Sequence, residues 1–162
     1  MTETDIRPVI FGEVLYDCFP EGEVVLGGAP FNVAWHLQGL GVSPLFISRV
    51  GDDPLGHRVR DIMEQRGMST AGLQLDSAHP TGKVNISLSA GSHSFDILPE
   101  QAYDYIADDA LPPLPDEALF YHGSLAARNP VSARSLSLVC DRLANNRLVD
   151  VSLRAPGWQR DA

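Results

Sequence analysis

The chain has little of several things that mark special classes of protein. Among its 162 residues there are only two cysteines, Cys18 and Cys140, far apart and without a CxxC spacing, so we expect a reduced, cytoplasmic protein. No apolar run approaches the roughly 20 residues that cross a bilayer, and the polar, acidic N-terminus does not resemble a signal peptide. The five histidines show no ligand spacing, so no metal site is predicted.

Positive charge is also scarce. Twelve basic residues stand against 21 acidic ones, which gives a net charge of -9. Such a field repels nucleic acid and anionic membranes, so neither is expected as a partner. Phosphate chemistry is still open, because backbone amides at the start of a helix can hold an anion even in an acidic protein.

Three common catalytic or nucleotide-binding motifs are missing. The chain has no GxxxxGK[ST] loop, no GxGxxG after its first strand and no GxSxG. The chain therefore lacks the key residues of a P-loop NTPase, a dinucleotide-binding domain or a serine hydrolase.

Apolar periodicity, by contrast, is abundant and predicts a single α/β domain. Apolar runs followed by glycine-containing loops alternate with stretches at helical spacing, which is the pattern of a parallel sheet flanked by helices. Strands are predicted at 9–11, 14–19, 24–26, 45–50, 84–88, 94–98, 118–121 and 148–151, and helices at 31–40, from 54 to about 67, and from 129 to about 143. Residues 103–117 predict a loop with one short helix.

The middle of the chain differs from the rest. Val84, Ile86 and Leu88 alternate with polar residues, which predicts a strand with one solvent-exposed face. Residues 94–98 can return beside it to form a hairpin. Such a hairpin does not suit the inside of a doubly wound sheet. We therefore expect it in a small separate sheet or lid.

Several motifs in series resemble one known family. They are Gly12-Glu13-Val14-Leu15-Tyr16-Asp17, then Gly27-Gly28-Ala29-Pro30-Phe31-Asn32-Val33-Ala34 with Gly41 and Gly51, then Gly51-Asp52-Asp53-Pro54-Leu55-Gly56, and finally Asp150-Val151-Ser152-Leu153-Arg154 followed by Trp158. Their wording, order and spacing are similar to those of the ribokinase/PfkB carbohydrate kinases, fructokinase branch. Ser152 stands where that family usually has Asn.

The resemblance implies a fold: a ribokinase-like, doubly wound, three-layer sandwich with a small β lid near 14–26 and 82–98. It also implies roles. Asp17, Gly27, Gly28 and Asn32 would bind the sugar, and Arg154 would contact substrate or the transferred phosphoryl group. ATP and Mg²⁺ would be the cofactors, and a homodimer could form through the lid.

From the residues alone, each of these positions has a plainer interpretation. Asp17 could be an ordinary exposed acid, and the Gly27-Gly28 pair a tight turn. Asn32 could be a capping or turn residue. Arg154 could pair with a surface acid.

The family's second signature, D-T-x-G-A-G-D, does not occur. In the family it supplies the anion hole and the catalytic base, so we interpret residues 1–162 as an N-terminal portion, incomplete at its C-terminus and inactive alone. The favoured function is phosphoryl transfer from ATP to the primary hydroxyl of a fructose-like sugar. The alternative is a truncated, non-catalytic module for sugar binding or dimerisation.

Overall fold

Two β-sheets and three α-helices organise the chain in a computed structural model that describes residues 6–89 and 92–152. The larger sheet has five strands, β1 (Val9–Phe11), β4 (Leu45–Gly51), β5 (Leu73–Asp76), β8 (Phe120–Gly123) and β9 (Arg147–Asp150). All its pairings are parallel, in the order β5-β4-β1-β8-β9. The order runs outward from β1 in one direction and from β8 in the other, so the direction of winding reverses between β1 and β8.

Helices cover both faces of this sheet. On one face Ile10 and Phe46 pack with residues of α1 (Ala29–Gly39) and α2 (Pro54–Gln65). On the other, Phe11 and Phe120 pack with α3 (Pro130–Arg142) and the short helical segments of the chain. Neighbouring residues of one strand thus enter different cores, as the period of two requires. The expected three-layer α/β sandwich is confirmed for the described residues.

The smaller sheet has four strands, β2 (Leu15–Cys18), β3 (Val24–Gly27), β6 (Gly82–Ser89) and β7 (Ser92–Ile97), in the order β3-β2-β6-β7. The hairpin expected from period-2 alternation is present as antiparallel β6 and β7. It joins the β2–β3 hairpin through a parallel β2–β6 pairing. The two segments predicted to lie apart from the main sheet therefore form one structure.

One strand of the larger sheet was not predicted. β5 is four residues long and carries Gln74 and Asp76, so it lacks the apolar run that marks a buried strand. Both polar side chains are buried but have partners. The Gln74 amide exchanges two hydrogen bonds with the backbone of Ala107, at 2.9 and 2.8 Å, and Asp76 forms an ion pair with Arg49 at 3.0 Å.

Each α-helix starts with a proline in its first turn, where a missing N–H costs nothing. Asp53 caps α2 by accepting a hydrogen bond from Gly56, and Asn129 caps α3 by accepting one from Val131. No side chain caps α1, whose N-cap is Gly28. None of the described helices is long and apolar enough to cross a membrane.

The segment expected to hold one short helix holds two short 3₁₀ turns, Ala102–Tyr105 and Asp108–Ala110, and a third follows β8 at Ala126–Arg128. Each turn is only three or four residues long, too short to show helical apolar spacing, so a pattern search does not separate it from loop.

Candidate functional site

A pocket of about 260 Å³ lies where the larger sheet reverses its winding. Open α/β sheets bind ligands in the crevice at the carboxyl ends of the strands at such a reversal. Here the floor comes from the ends of β1, β8 and β9 and from the start of α1, and the cover comes from the smaller sheet. The lining residues are Glu13, Leu15, Asp17, Gly28, Ala29, Asn32, Val84, Phe95, Ile97, Leu125 and Ser152.

Asp17 enters the pocket from β2 and is only partly buried. Desolvation raises the pKa of its carboxyl above the ordinary value. Gly27, on the neighbouring strand β3, makes room for this carboxylate, since a β-carbon there would come within 3.1 Å of Asp17 Oδ2. The arrangement leaves a carboxylate at the pocket wall that can accept hydrogen bonds from a polar ligand.

Gly28 ends the loop before α1 in a conformation that favours glycine. Its φ is +107°, and a β-carbon would come within 2.7 Å of the carbonyl oxygen of Glu13. The backbone of Gly28 therefore lies directly against the residue that follows β1. Gly27 is the last residue of β3 and Gly28 is the N-cap of α1, so the pair joins strand to helix directly, and Gly28 forms part of the pocket wall.

Asn32 is exposed on the first turn of α1 and lines the pocket. Its backbone N–H donates to the carbonyl of Gly28 at 2.9 Å, so Asn32 lies inside the helix and is not its N-cap. The capping interpretation of Asn32 is therefore wrong. Its amide, which can both donate and accept, faces the same space as Asp17.

Glu13 is the pocket residue to which the sequence assigned no role. It follows β1 directly, is only 4% exposed, and its Oε2 has no hydrogen-bond partner among the described residues. Burial raises the pKa of its carboxyl to about 7, while the backbone amides of Glu13 and Ala29 act in the opposite direction. The only sequence signal for it is an acid placed immediately after a buried apolar strand and a glycine.

The chain enters the small sheet through a hydrogen-bonded junction. Asp53 accepts hydrogen bonds from the amide of Thr81 at 2.8 Å and from its hydroxyl at 2.7 Å, while also capping α2. Desolvation alone would raise the pKa of Asp53, but the hydrogen bonds from Thr81 and Gly56 hold it below its ordinary value. The start of β6 is thus fixed to the start of α2.

A second junction holds the exit of the small sheet. Arg128 donates to the carbonyl of Leu98 at 2.7 Å and forms an ion pair with the buried carboxylate of Asp104 at 2.8 Å. Leu98 directly follows β7, so the ends of the β6–β7 hairpin are anchored on either side of the pocket.

At the end of β9, Ser152 reaches the pocket, and its N–H donates to Ser124 Oγ at 2.8 Å. Arg154 and Trp158 lie outside the described residues. The described lining contains two carboxyl groups and no lysine or arginine. In the same described ranges, no group of three or more His, Cys, Asp or Glu residues is arranged to hold a metal ion.

A five-stranded parallel sheet, covered on both faces, with a ligand-sized crevice roofed by a second small sheet, places the chain among α/β enzymes and binding proteins. The model of the pfkB family carbohydrate kinases matches residues 11–162, so the chain belongs to that family. The fructokinase of Klebsiella pneumoniae is 36% identical over 110 residues, which are 64% of this chain and 36% of that protein. A Pyrococcus horikoshii protein described as a sugar kinase is 33% identical over 138 residues, 82% of this chain and 44% of its own length.

Solved structures show the same fold. That of the Pyrococcus horikoshii protein in complex with ATP superposes with a TM-score of 0.80 at 25% identity, covering 93% of this chain and 54% of the other. The fructokinase of Xylella fastidiosa gives a TM-score of 0.84 at 22% identity, covering 96% and 53%. The chain therefore spans about half the length, or less, of the proteins it resembles.

Proposed function

We propose that this chain binds a neutral sugar, fructose in the first instance, and represents the sugar-binding half of an ATP-dependent sugar kinase. One observation carries the proposal: the pocket at the winding reversal brings Asp17 of the smaller sheet together with Gly28 and Asn32 at the start of α1. The names of the fructokinase relatives support fructose over other sugars.

The pocket has the chemistry that a polyol requires. The Asp17 carboxylate can accept hydrogen bonds from two hydroxyl groups at once, and a charged acceptor strengthens both. The Asn32 amide can donate to one hydroxyl and accept from the next. Gly27 leaves space beside the carboxylate, and Gly28 brings backbone to the pocket wall without a side chain. Val84 and Ile97 lie beside Asp17 in the smaller sheet and add apolar surface to the pocket.

Charge in the pocket favours a neutral ligand. Glu13 and Asp17 are both acidic, and the described lining offers no cation to balance a carboxylate or phosphate on the sugar. A sugar acid or a sugar phosphate would therefore be repelled at short range in a partly desolvated site. We propose that such anionic sugars bind more weakly than fructose.

ATP and Mg²⁺ belong to the proposal for the whole kinase. ATP is supported by the complex of the Pyrococcus horikoshii protein. The described pocket residues, with two acids and no cation, do not suit a triphosphate, so no catalytic step is derived from them.

Contact of Arg154 with substrate or phosphoryl group stays a prediction, as does a homodimer through the smaller sheet. A non-catalytic sugar-binding or dimerisation module remains the alternative function, and an assay of sugar-dependent ADP release separates the two.

The test of sugar binding is the variant Asp17→Asn. It keeps the shape of the side chain but removes the charge and turns one acceptor oxygen into a donor. Hydrogen bonds to charged groups contribute about 1.5–3 kcal/mol, so we expect affinity for fructose to fall about 10- to 150-fold. Isothermal titration calorimetry on the 162-residue chain measures this change.

The matched control is Asp96→Asn, an exposed acid on β7 that is not among the pocket-lining residues. It should bind fructose as the unaltered chain does. Equal affinity of Asp17→Asn and the unaltered chain would remove Asp17 from the site. Tighter binding of a sugar phosphate than of fructose would contradict the neutral-ligand proposal.

A further inference from the structure

Glu13 is a buried acid beneath the pocket that sugar recognition by Asp17 and Asn32 leaves unused. Glu13 is 4% exposed, and its Oε2 touches neither solvent nor a hydrogen-bond donor among the described residues. A buried polar atom without a partner costs about 1–3 kcal/mol, so such atoms are rare unless they have a role. Because solvent cannot reach Oε2, a sugar hydroxyl cannot reach it in this conformation either.

What Glu13 does contact is the start of α1. Its carbonyl oxygen lies so close to Gly28 that only glycine fits there, and the Ala29 amide acts on its carboxyl. Glu13 Oε2 also lies beside Gly123 at the end of β8, as does the ring of Pro30. The side chain therefore sits between the ends of two central strands and the first turn of the helix that carries Asn32.

This position gives the carboxyl a structural task that depends on its charge. The first amides of a helix lack partners within the helix and favour a negative charge. No side chain caps α1 at Gly28, so the Glu13 carboxyl is the acid available to this end of the helix. The charge state of Glu13 therefore alters how the first turn of α1 is held.

The residues around Glu13 determine the pH at which its carboxyl changes charge. Burial disfavours the ionised form, and the negative charge of Asp150 on β9 adds to this, whereas Arg128 opposes it, so that the pKa lies at about 7. The other titratable groups coupled to Glu13 are Tyr103 and Tyr121, whose pKa values burial raises well above the ordinary value. Asp17 faces the same pocket. Glu13 is therefore the group of this site that changes charge near neutral pH.

We propose that Glu13 is a positioning residue of the pocket: its carboxyl supports the first turn of α1 from beneath, and its protonation is coupled to occupancy of the pocket by sugar. This inference rests on the proposed function. It also assigns Glu13 no direct contact with the substrate.

The sign of the coupling follows from solvation. Water in the pocket stabilises the ionised carboxyl of Glu13 from a distance, without touching Oε2. A bound sugar displaces this water and gives Oε2 no hydrogen bond, so the ionised form is destabilised and the pKa of Glu13 rises on binding. Binding then takes up a proton, and affinity falls as the pH rises through about 7. Asp17 has the opposite sign, because hydroxyl hydrogen bonds favour its ionised form, and its contribution is lost as the pH falls.

The experiment is calorimetric titration of the chain with fructose from pH 5.5 to 8.5, at each pH in two buffers of different ionisation enthalpy. We expect affinity to fall about three- to tenfold between pH 6 and 8, with uptake of a fraction of a proton near pH 7, since one pKa unit corresponds to a tenfold change. Glu13→Gln should abolish both the uptake and the fall. The matched control Glu23→Gln, at an exposed position in the β2–β3 turn, should leave both unchanged.

A ligand-free readout tests the positioning directly. The backbone amide resonances of Gly28, Ala29 and Asn32 should titrate with a midpoint near pH 7 in the unaltered chain and not in Glu13→Gln. If Glu13 served only to fill space, the unaltered chain would show neither the amide titration near pH 7 nor proton uptake on fructose binding. Both signals are measured on the unaltered chain. Their absence there would contradict the proposal even if Glu13→Gln fails to fold.

The possible failures are distinguishable. Fructose binding without proton uptake, at constant affinity across this pH range, would overturn the role of Glu13 and leave the sugar site intact. No fructose binding at any pH would overturn the proposed function, and this inference with it.

Discussion

The two sheets meet at one pocket but are built in different ways. Strands of the larger sheet, such as β1 and β8, are buried along their whole length between two helical layers. Strands of the smaller sheet keep one face in water: on β6, Asn85 and Ser87 are exposed whereas Val84 and Ile86 are buried. The floor of the pocket is therefore held by a core on both sides, whereas its cover depends on a single apolar face and on hydrogen bonds at its ends.

The same difference acts on the two acids of the pocket. Glu13 belongs to the floor, is fully surrounded, and its pKa is raised to about 7 by desolvation. Asp17 belongs to the cover and is partly solvated; desolvation raises its pKa too, without a neighbouring charge to add to the effect. We therefore propose different tasks for the two carboxyl groups: positioning for Glu13 and recognition for Asp17.

The largest expected contrast comes from a phenylalanine in each sheet. Phe120 on β8 has no exposed surface, and its truncation to alanine leaves a cavity between two layers. We expect Phe120→Ala to lower the free energy of unfolding by about 3–5 kcal/mol and Phe95→Ala by less than about 1 kcal/mol. Urea denaturation followed by circular dichroism measures both.

Because Phe95 lines the pocket, Phe95→Ala should weaken fructose binding although the fold is kept. Comparable destabilisation by the two truncations would show that the smaller sheet is packed as firmly as the larger one.

A smaller difference in stability is expected between alanine substitutions at two glycines, one crowded by neighbouring atoms and one not. Gly28 at the floor and Gly22 in the β2–β3 turn both have positive φ, +107° and +90°, but a β-carbon would strike the Glu13 carbonyl at Gly28 and nothing within 4 Å at Gly22. Gly22→Ala should cost about 1–2 kcal/mol for the backbone alone. Gly28→Ala should cost about 1–3 kcal/mol more for the overlap. Equal losses in thermal or urea unfolding would contradict the close approach of Glu13 and Gly28.

The smallest effect concerns the junction between the regions. Asp53→Asn keeps one acceptor for the cap of α2 but loses an acceptor for Thr81, and should cost about 1 kcal/mol at pH 7. The pKa of Asp53 is lowered in the fold, so its stabilisation is present above the unfolded-state value and is lost as the pH falls through the lowered one. The two proteins should therefore converge in stability in acid.

Asp52→Asn is the matched control, because the Asp52 carboxylate pairs with His57 and both side chains are more than half exposed. It should change stability by less than about 0.5 kcal/mol. A gap between Asp53→Asn and the unaltered chain that persists unchanged in acid would exclude the ionised carboxylate as its source.

The sequence predicted the fold well where one physical signal dominates. Apolar runs located β1, β4 and β8, proline and cap residues located the starts of α2 and α3, and period-2 alternation separated the β6–β7 hairpin from the main sheet. α1 starts at Ala29, two residues earlier than predicted. β5 was missed because its polar residues, Gln74 and Asp76, are buried by partners that lie outside it, namely Ala107 and Arg49. Local pattern cannot reveal a partner that only the fold supplies.

The site shows the same division. Asp17, Gly27, Gly28 and Asn32 were named from their resemblance to a family, and the structure brings them to one pocket wall or beside it. Glu13 stood within a quoted motif and received no role, because nothing in its sequence neighbourhood shows that Gly123 and α1 enclose it. Arg154 lies outside the described residues and stays a prediction.

The pairing of β1 with β8 joins Val9 to Phe120, positions more than 100 residues apart along the chain. At a synthesis rate of about 5–20 residues per second, roughly 5 to 20 seconds separate the making of the first strand from that of its partner. During this interval one edge of an apolar strand lacks its neighbour, and Glu13 is still in contact with water. On the ribosome, Glu13 is therefore made well before Gly123, one of the residues that enclose it.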